Sequence, residues 1–127
     1  MFYSISDSDK QAAIADAILM REREIQGYDL NITNYTYMLA QLPQDEWPTE
    51  LAQYQQASAE QVPDAVHDKV SQYQFRDHMR TLMKTERAER AKSYLVYQSL
   101  IAQIPAANLE KTILAAIDRL TAPKTAV

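Results

Sequence analysis

The residues best suited to chemistry form a run of charges inside a stretch with an apolar helical period: Lys84-Thr85-Glu86-Arg87-Ala88-Glu89-Arg90-Ala91-Lys92. Its flanks, Leu82-Met83 and Tyr94-Leu95, are apolar, so the run interrupts a stripe instead of decorating a loop. Arginine there brings a planar fork of N–H donors that fits carboxylates and phosphates. Three roles compete. Alternating charges at helical spacing commonly make a solvated face with weak i,i+4 pairs, and this is the expected role. Arg87 and Arg90 could instead sit on a buried seam, pair with Glu22, Glu24, Glu86 or Glu89, and fix helix register. Facing outward, the same guanidinium groups would meet an acidic partner.

Metal and nucleophile chemistry has less support. His67 and His78 are eleven residues apart, which puts them on one helical face but too far apart for one ion. Asp64-Ala65-Val66-His67 has the carboxylate-to-histidine spacing used in di-iron bundles, but with Asp in place of Glu and with no second copy. The chain has no cysteine, which excludes thiolate ligands, disulfides and a thiol nucleophile. Its single glycine, Gly27, cannot build a phosphate-cradling loop. No Ser, His and Asp set has local support, and carboxylates such as Glu22 and Glu24 read as surface charges. No catalytic residue, metal or cofactor is expected.

Aromatic residues carry the remaining signal. Eight tyrosines accompany two phenylalanines, and Tyr28, Tyr35, Tyr94 and Tyr97 fall on apolar seams. There a ring packs while its hydroxyl seeks water or a partner, which suits either the edge of a thin core or a shared interface. Trp47, in the connector Gln44-Asp45-Glu46-Trp47-Pro48, either caps the end of a bundle or stands out as a partner anchor.

The elements that must hold these residues are helices. One glycine leaves little turn chemistry for a sheet, while Ala, Gln, Glu, Leu and Arg favour helix. Ser6, Asp7, Ser8 and Asp9 offer caps for a first helix starting near Asp7. Ile14, Ile18, Ile25, Tyr28, Ile32, Tyr35, Leu39 and Leu42 then form a heptad seam broken only at Arg21. An unbroken helix to Leu42 would be about 50 Å long. Prolines divide the rest: a short helix over Pro48 to Ala57, a long one from Pro63-Asp64 to Ile104, and a short amphipathic one capped by Asn108 and ending at Pro123. The expected fold is all-α, an elongated bundle of two long and two short helices in a single domain over residues 1–127.

A near-repeat suggests how that order arose. Tyr35-Thr36-Tyr37-Met38-Leu39-Ala40-Gln41-Leu42-Pro43 matches Tyr97-Gln98-Ser99-Leu100-Ile101-Ala102-Gln103-Ile104-Pro105 at Tyr, Ala, Gln and Pro, with three apolar exchanges. A duplicated helical hairpin, with copies over 7–58 and 63–122, would give this pattern. In that register Arg87 and Arg90 replace Ile25 and Tyr28.

At 127 residues with 46% hydrophobic content, the chain can bury a core. Net charge of −4 with interspersed signs disfavours both nucleic-acid binding and nucleic-acid mimicry. No apolar run reaches bilayer length, and Met1 to Lys10 lacks the pattern of a cleaved leader, so a soluble cytoplasmic protein is expected. Helix 1 carries Ala13, Ala17, Met20 and Leu30 away from its seam, apolar surface that another chain would cover. The reading is a non-catalytic protein–protein interaction module, an adaptor or assembly component that forms a homo-oligomer. Partner-binding candidates are Trp47, Arg87, Arg90, Tyr28, Tyr35, Tyr94 and Tyr97. The alternatives are an inhibitor that covers a larger host complex and a helical-bundle metal protein or enzyme. In general character the chain resembles small helical accessory proteins of bacteriophages and mobile elements, which implies an all-α fold acting through its surface.

Overall fold

A computed structural model of the protein describes residues 5–122. Four α-helices follow in order: α1 (Asp7–Ala40), α2 (Thr49–Ala52), α3 (Asp64–Ala102) and α4 (Ala106–Thr121), with a 3-10 turn at Ala59–Gln61 before α3. No strand occurs among the described residues. The fold is an all-α bundle.

Local chemistry sets the helix ends. Ser6 starts α1: its hydroxyl accepts the Asp9 N–H at 3.1 Å and its carbonyl the Lys10 N–H at 3.0 Å. Asp7 and Asp9 lie in the first turn, where the helix dipole favours negative charge. At the other end the two sequence copies terminate alike. Gln41 and Leu42 donate to Met38 and Leu39 carbonyls at 3.1 Å each, while Gln103 and Ile104 donate to Leu100 and Ile101 at 3.1 and 3.2 Å. Both helices therefore tighten to i→i−3 bonding just before proline, which cannot continue the ladder. After the first copy, Gln44 caps the open end by donating Nε2 to Leu39 and Leu42 carbonyls at 2.8 and 2.6 Å.

Two expected boundaries differ. α2 is four residues long instead of reaching Ala57, and beyond it Tyr54, Gln55 and Ala57 make i→i−3 turns. That tighter spacing turns Leu51, Tyr54 and Ala57 to one side, where all three join the same core. α4 is capped not by Asn108 but by Pro105, whose carbonyl accepts the Asn108 N–H at 2.8 Å. Proline ends α3 and, with its fixed φ, opens the next helix directly, leaving Asn108 inside the first turn. The Asn108 side chain donates to Gln11 Oε1 at 3.4 Å instead.

The chain groups into two compact units, one holding residues up to Tyr28 and from Glu89 onward, the other Asp29–Ala88. In the first, Ala15, Ile18, Ile104 and Ala116 form the buried centre, with Tyr97, Ile101, Leu109 and Ile113 packed around them. The two fully buried alanines, Ala15 and Ala116, present nothing beyond Cβ, so helix backbones can approach closely there. In the second, Leu51, Val62, Val70 and Tyr73 form the centre beneath Trp47, Tyr54 and Val66. Among the described residues no single helix is long and apolar enough to cross a membrane, and the break between α3 and α4 bends that pair by 114°.

Candidate functional site

α3 sorts the charges of the second unit by side. Arg80, Lys84 and Arg87 are separated by four and three residues, so they share one flank of the helix, while Glu86 falls on the other. All three cations are exposed, and they surround a shallow pit of about 230 Å³ whose apolar lining is Leu39 and Met83. Met83 is buried and Leu39 half-buried, so the floor is part of the fold. The two carboxylates nearest along α3, Glu86 and Asp77, already have partners. Glu86 accepts from Asn31 Nδ2 at 3.2 Å. Asp77 accepts from Arg76 Nε at 3.2 Å and from Trp47 Nε1 at 2.8 Å, and reaches Arg80 only at 3.9 Å. A solvated charge run was expected here; Arg87 is indeed exposed, but its neighbours along the flank are cations around an apolar floor.

Beside the pit lies a polar network that sequence reasoning missed. Arg76 is 3% exposed. Its Nη1 donates to the Pro43 carbonyl at 3.1 Å and to the Asp45 carbonyl, and its guanidinium lies 4.8 Å from the Tyr73 ring centre. Tyr73 donates its hydroxyl to both Asp45 carboxylate oxygens at 2.8 and 2.9 Å. That bond, then burial, then the Asp45 charge raise the Tyr73 pKa above its ordinary value. Trp47 packs on Tyr73 with ring centres 5.0 Å apart. Of its two expected roles, Trp47 is thus tied into its own unit, half-buried and hydrogen-bonded. One signal for the network existed in the sequence: Arg76 occupies an apolar register position between Tyr73 and Met79, and both of those are buried.

The first unit collects most of the tyrosine candidates. Tyr94 and Tyr97 stack at 6.0 Å, and the Arg90 guanidinium lies 5.7 Å from the Tyr94 ring. Tyr97 is half-buried and donates to Glu22 Oε1 at 3.1 Å. Burial first, and then that bond, raise its pKa. Tyr28 donates to Glu24 Oε1 at 3.0 Å. Arg21, which breaks the seam in the sequence, pairs with Glu24 at 3.1 Å and reaches the buried Ser93 hydroxyl at 3.4 Å. Tyr35, in the second unit, is half-buried. The structure therefore brings Tyr94, Tyr97 and Arg90 together and places Trp47 and Arg87 in separate parts of the other unit.

Apolar side chains remain uncovered in the first unit. Met20 is 71% exposed, Leu95 66%, Leu114 54% and Leu120 52%. On α4, Leu114, Ile117 and Leu120 follow one another at three-residue steps, an apolar edge that runs from the flank of the helix to the exposed end of its inward face, which Leu120 shares with Ile113 and Ala116. Among the described residues no three His, Asp or Glu side chains are grouped to hold a metal ion, and His67 and His78 are both exposed. Comparison with protein-family models, curated proteins and solved structures finds no match to this chain.

Proposed function

We propose that this chain is a non-catalytic helical protein–protein interaction module, an adaptor or assembly component, that associates with copies of itself. The observation that carries the reading is the apolar edge of α4, where Leu114, Ile117 and Leu120 are all at least 39% exposed. Single exposed leucines are ordinary on a protein surface, but a contiguous edge on an amphipathic helix is a surface that another chain can dry. Leucine and isoleucine suit such a contact, because burying them costs only about 0.5–1 kcal/mol each in side-chain freedom. A second copy offers the same edge, and a two-fold contact pairs it with itself.

Sedimentation equilibrium over a dilution series tests this. A mass that rises with concentration is expected, and Leu114→Glu should shift the curve toward monomer by at least tenfold in concentration. Leu114 is exposed, so at concentrations where the parent is monomeric its replacement leaves the thermal midpoint nearly unchanged. A monomeric mass at several hundred micromolar removes self-association from the proposal.

A further inference from the structure

We propose that the pit between Leu39 and Met83, rimmed by Arg80, Lys84 and Arg87, receives an acidic segment of a partner protein that inserts one apolar side chain. This rests on the interaction-module reading and names the partner's chemistry.

The pit joins two complementary demands. Its volume of about 230 Å³ accommodates a single leucine, methionine or phenylalanine side chain but not a row of anchors. Met83 supplies a thioether floor that adapts to the shape of what enters. Around that floor the three cations stand on successive turns, close enough together for neighbouring carboxylates of one short segment to reach them.

Charge complementarity chooses among ligands. The whole chain carries −4, so a cation cluster is a local exception to its surface, and Glu86 and Asp77 already have partners. Arg80, at 3.9 Å from Asp77, is only loosely held. A carboxylate arriving at the rim therefore competes with water more than with an existing ion pair. Nucleic acid fits less well: the pit lining has no aromatic ring on which a base could stack, and a nucleotide offers no aliphatic side chain for the apolar floor. A membrane fits less well too, because one concave pit admits one side chain where a bilayer contact needs a broad apolar face.

The test uses the full chain and a fluorescein-labelled peptide of alternating glutamate and leucine, read by anisotropy. Saturable binding that weakens as salt rises is expected. Exchanging every glutamate for glutamine, or every leucine for serine, should each weaken binding by about tenfold or more. Arg87→Glu should do the same while leaving the thermal melt unchanged, and Arg87→Lys should retain most of the affinity. Equal binding of the glutamine peptide, an unaffected Arg87→Glu variant, or no binding at millimolar peptide overturns the proposal. So does tighter binding of a short DNA duplex or of anionic vesicles. If the peptide fails while sedimentation still shows self-association, the pit assignment falls and the interaction-module reading stands. If both fail, both fall.

Discussion

Replacing Arg76 with methionine isolates what holds the connector between α1 and α2. The side chain is 3% exposed and spends its donors on the Pro43 carbonyl, the Asp45 carbonyl and Asp77 Oδ1. Methionine keeps much of the length and all of the apolar contact but donates nothing. Its effect follows from how wet each abandoned acceptor is. Asp45 is exposed and the Asp77 side chain is 45% exposed, so water replaces the donor there at small cost. Pro43 is half-buried, and a carbonyl stranded in such a place costs about 1–3 kcal/mol. The lost contact with the Tyr73 ring adds about 0.5–2 kcal/mol, and relief from burying a guanidinium offsets part of the sum. The net loss is about 2–3 kcal/mol, which for a chain of this size lowers the melting midpoint by about 8–12 °C. Circular dichroism reads the midpoint. The emission of Trp47, the only tryptophan, reads the connector and should shift to the red. Arg76→Lys should recover little, because one ammonium cannot serve the divergent directions taken by Nη1 and Nε. A midpoint within about 2 °C of the parent together with unchanged emission refutes the claim that Arg76 organises the connector.

Alkaline titration and core truncation test the rest of the scheme. Tyr73 and Tyr97 have raised pKa values, so the folded protein holds their phenol protons to higher pH than the unfolded chain does. Their stabilisation is complete below the ordinary value of about 10 and is lost as pH rises through the raised values. Tyr73 and Tyr97 should therefore lag in the tyrosinate absorbance, with the urea midpoint falling in step, and Tyr73→Phe should remove one lagging component. Uniform titration of all the tyrosines contradicts both assignments. Ile18→Ala, at a position 1% exposed among Ala15, Ile104 and Ala116, should cost about 2–4 kcal/mol in denaturant unfolding. A loss under about 1 kcal/mol would remove Ile18 from the centre of its unit.

Much of the backbone plan was readable without coordinates. The capping residues before Asp7, the prolines at 43, 48, 63 and 105, and the near absence of glycine specify helices and their approximate ends, because caps and prolines act within a few residues of themselves. Ile18 and Ile25 on the α1 seam are buried, whereas Ile32, Tyr35 and Leu39 are half-buried. Periodicity reports which face turns inward, but how much covers that face depends on helices distant in sequence. The repeat register made Arg87 the counterpart of Ile25, yet Ile25 is buried and Arg87 exposed. Equal places in a repeat do not guarantee equal neighbours.

The candidate site was legible only in part. Arg87 and Trp47 stood out by residue type, whereas Arg80, Lys84, Leu39 and Met83 became one surface only when α1 and α3 were side by side. The Arg76 network was hidden for the same reason, since Pro43, Asp45 and Trp47 lie about thirty residues away from their partners Tyr73, Arg76 and Asp77. The helical state, the start of α1 and the ends of α1 and α3 before Pro43 and Pro105 were determined by the sequence alone, because the hydrogen bonds involved span two to five residues, whereas the short extent of α2 and the cap of α4 were not. Burial of a charge, the raised tyrosine pKa values and the grouping of cations around an apolar floor were decided by tertiary structure, because each depends on which distant side chains displace water from the same place.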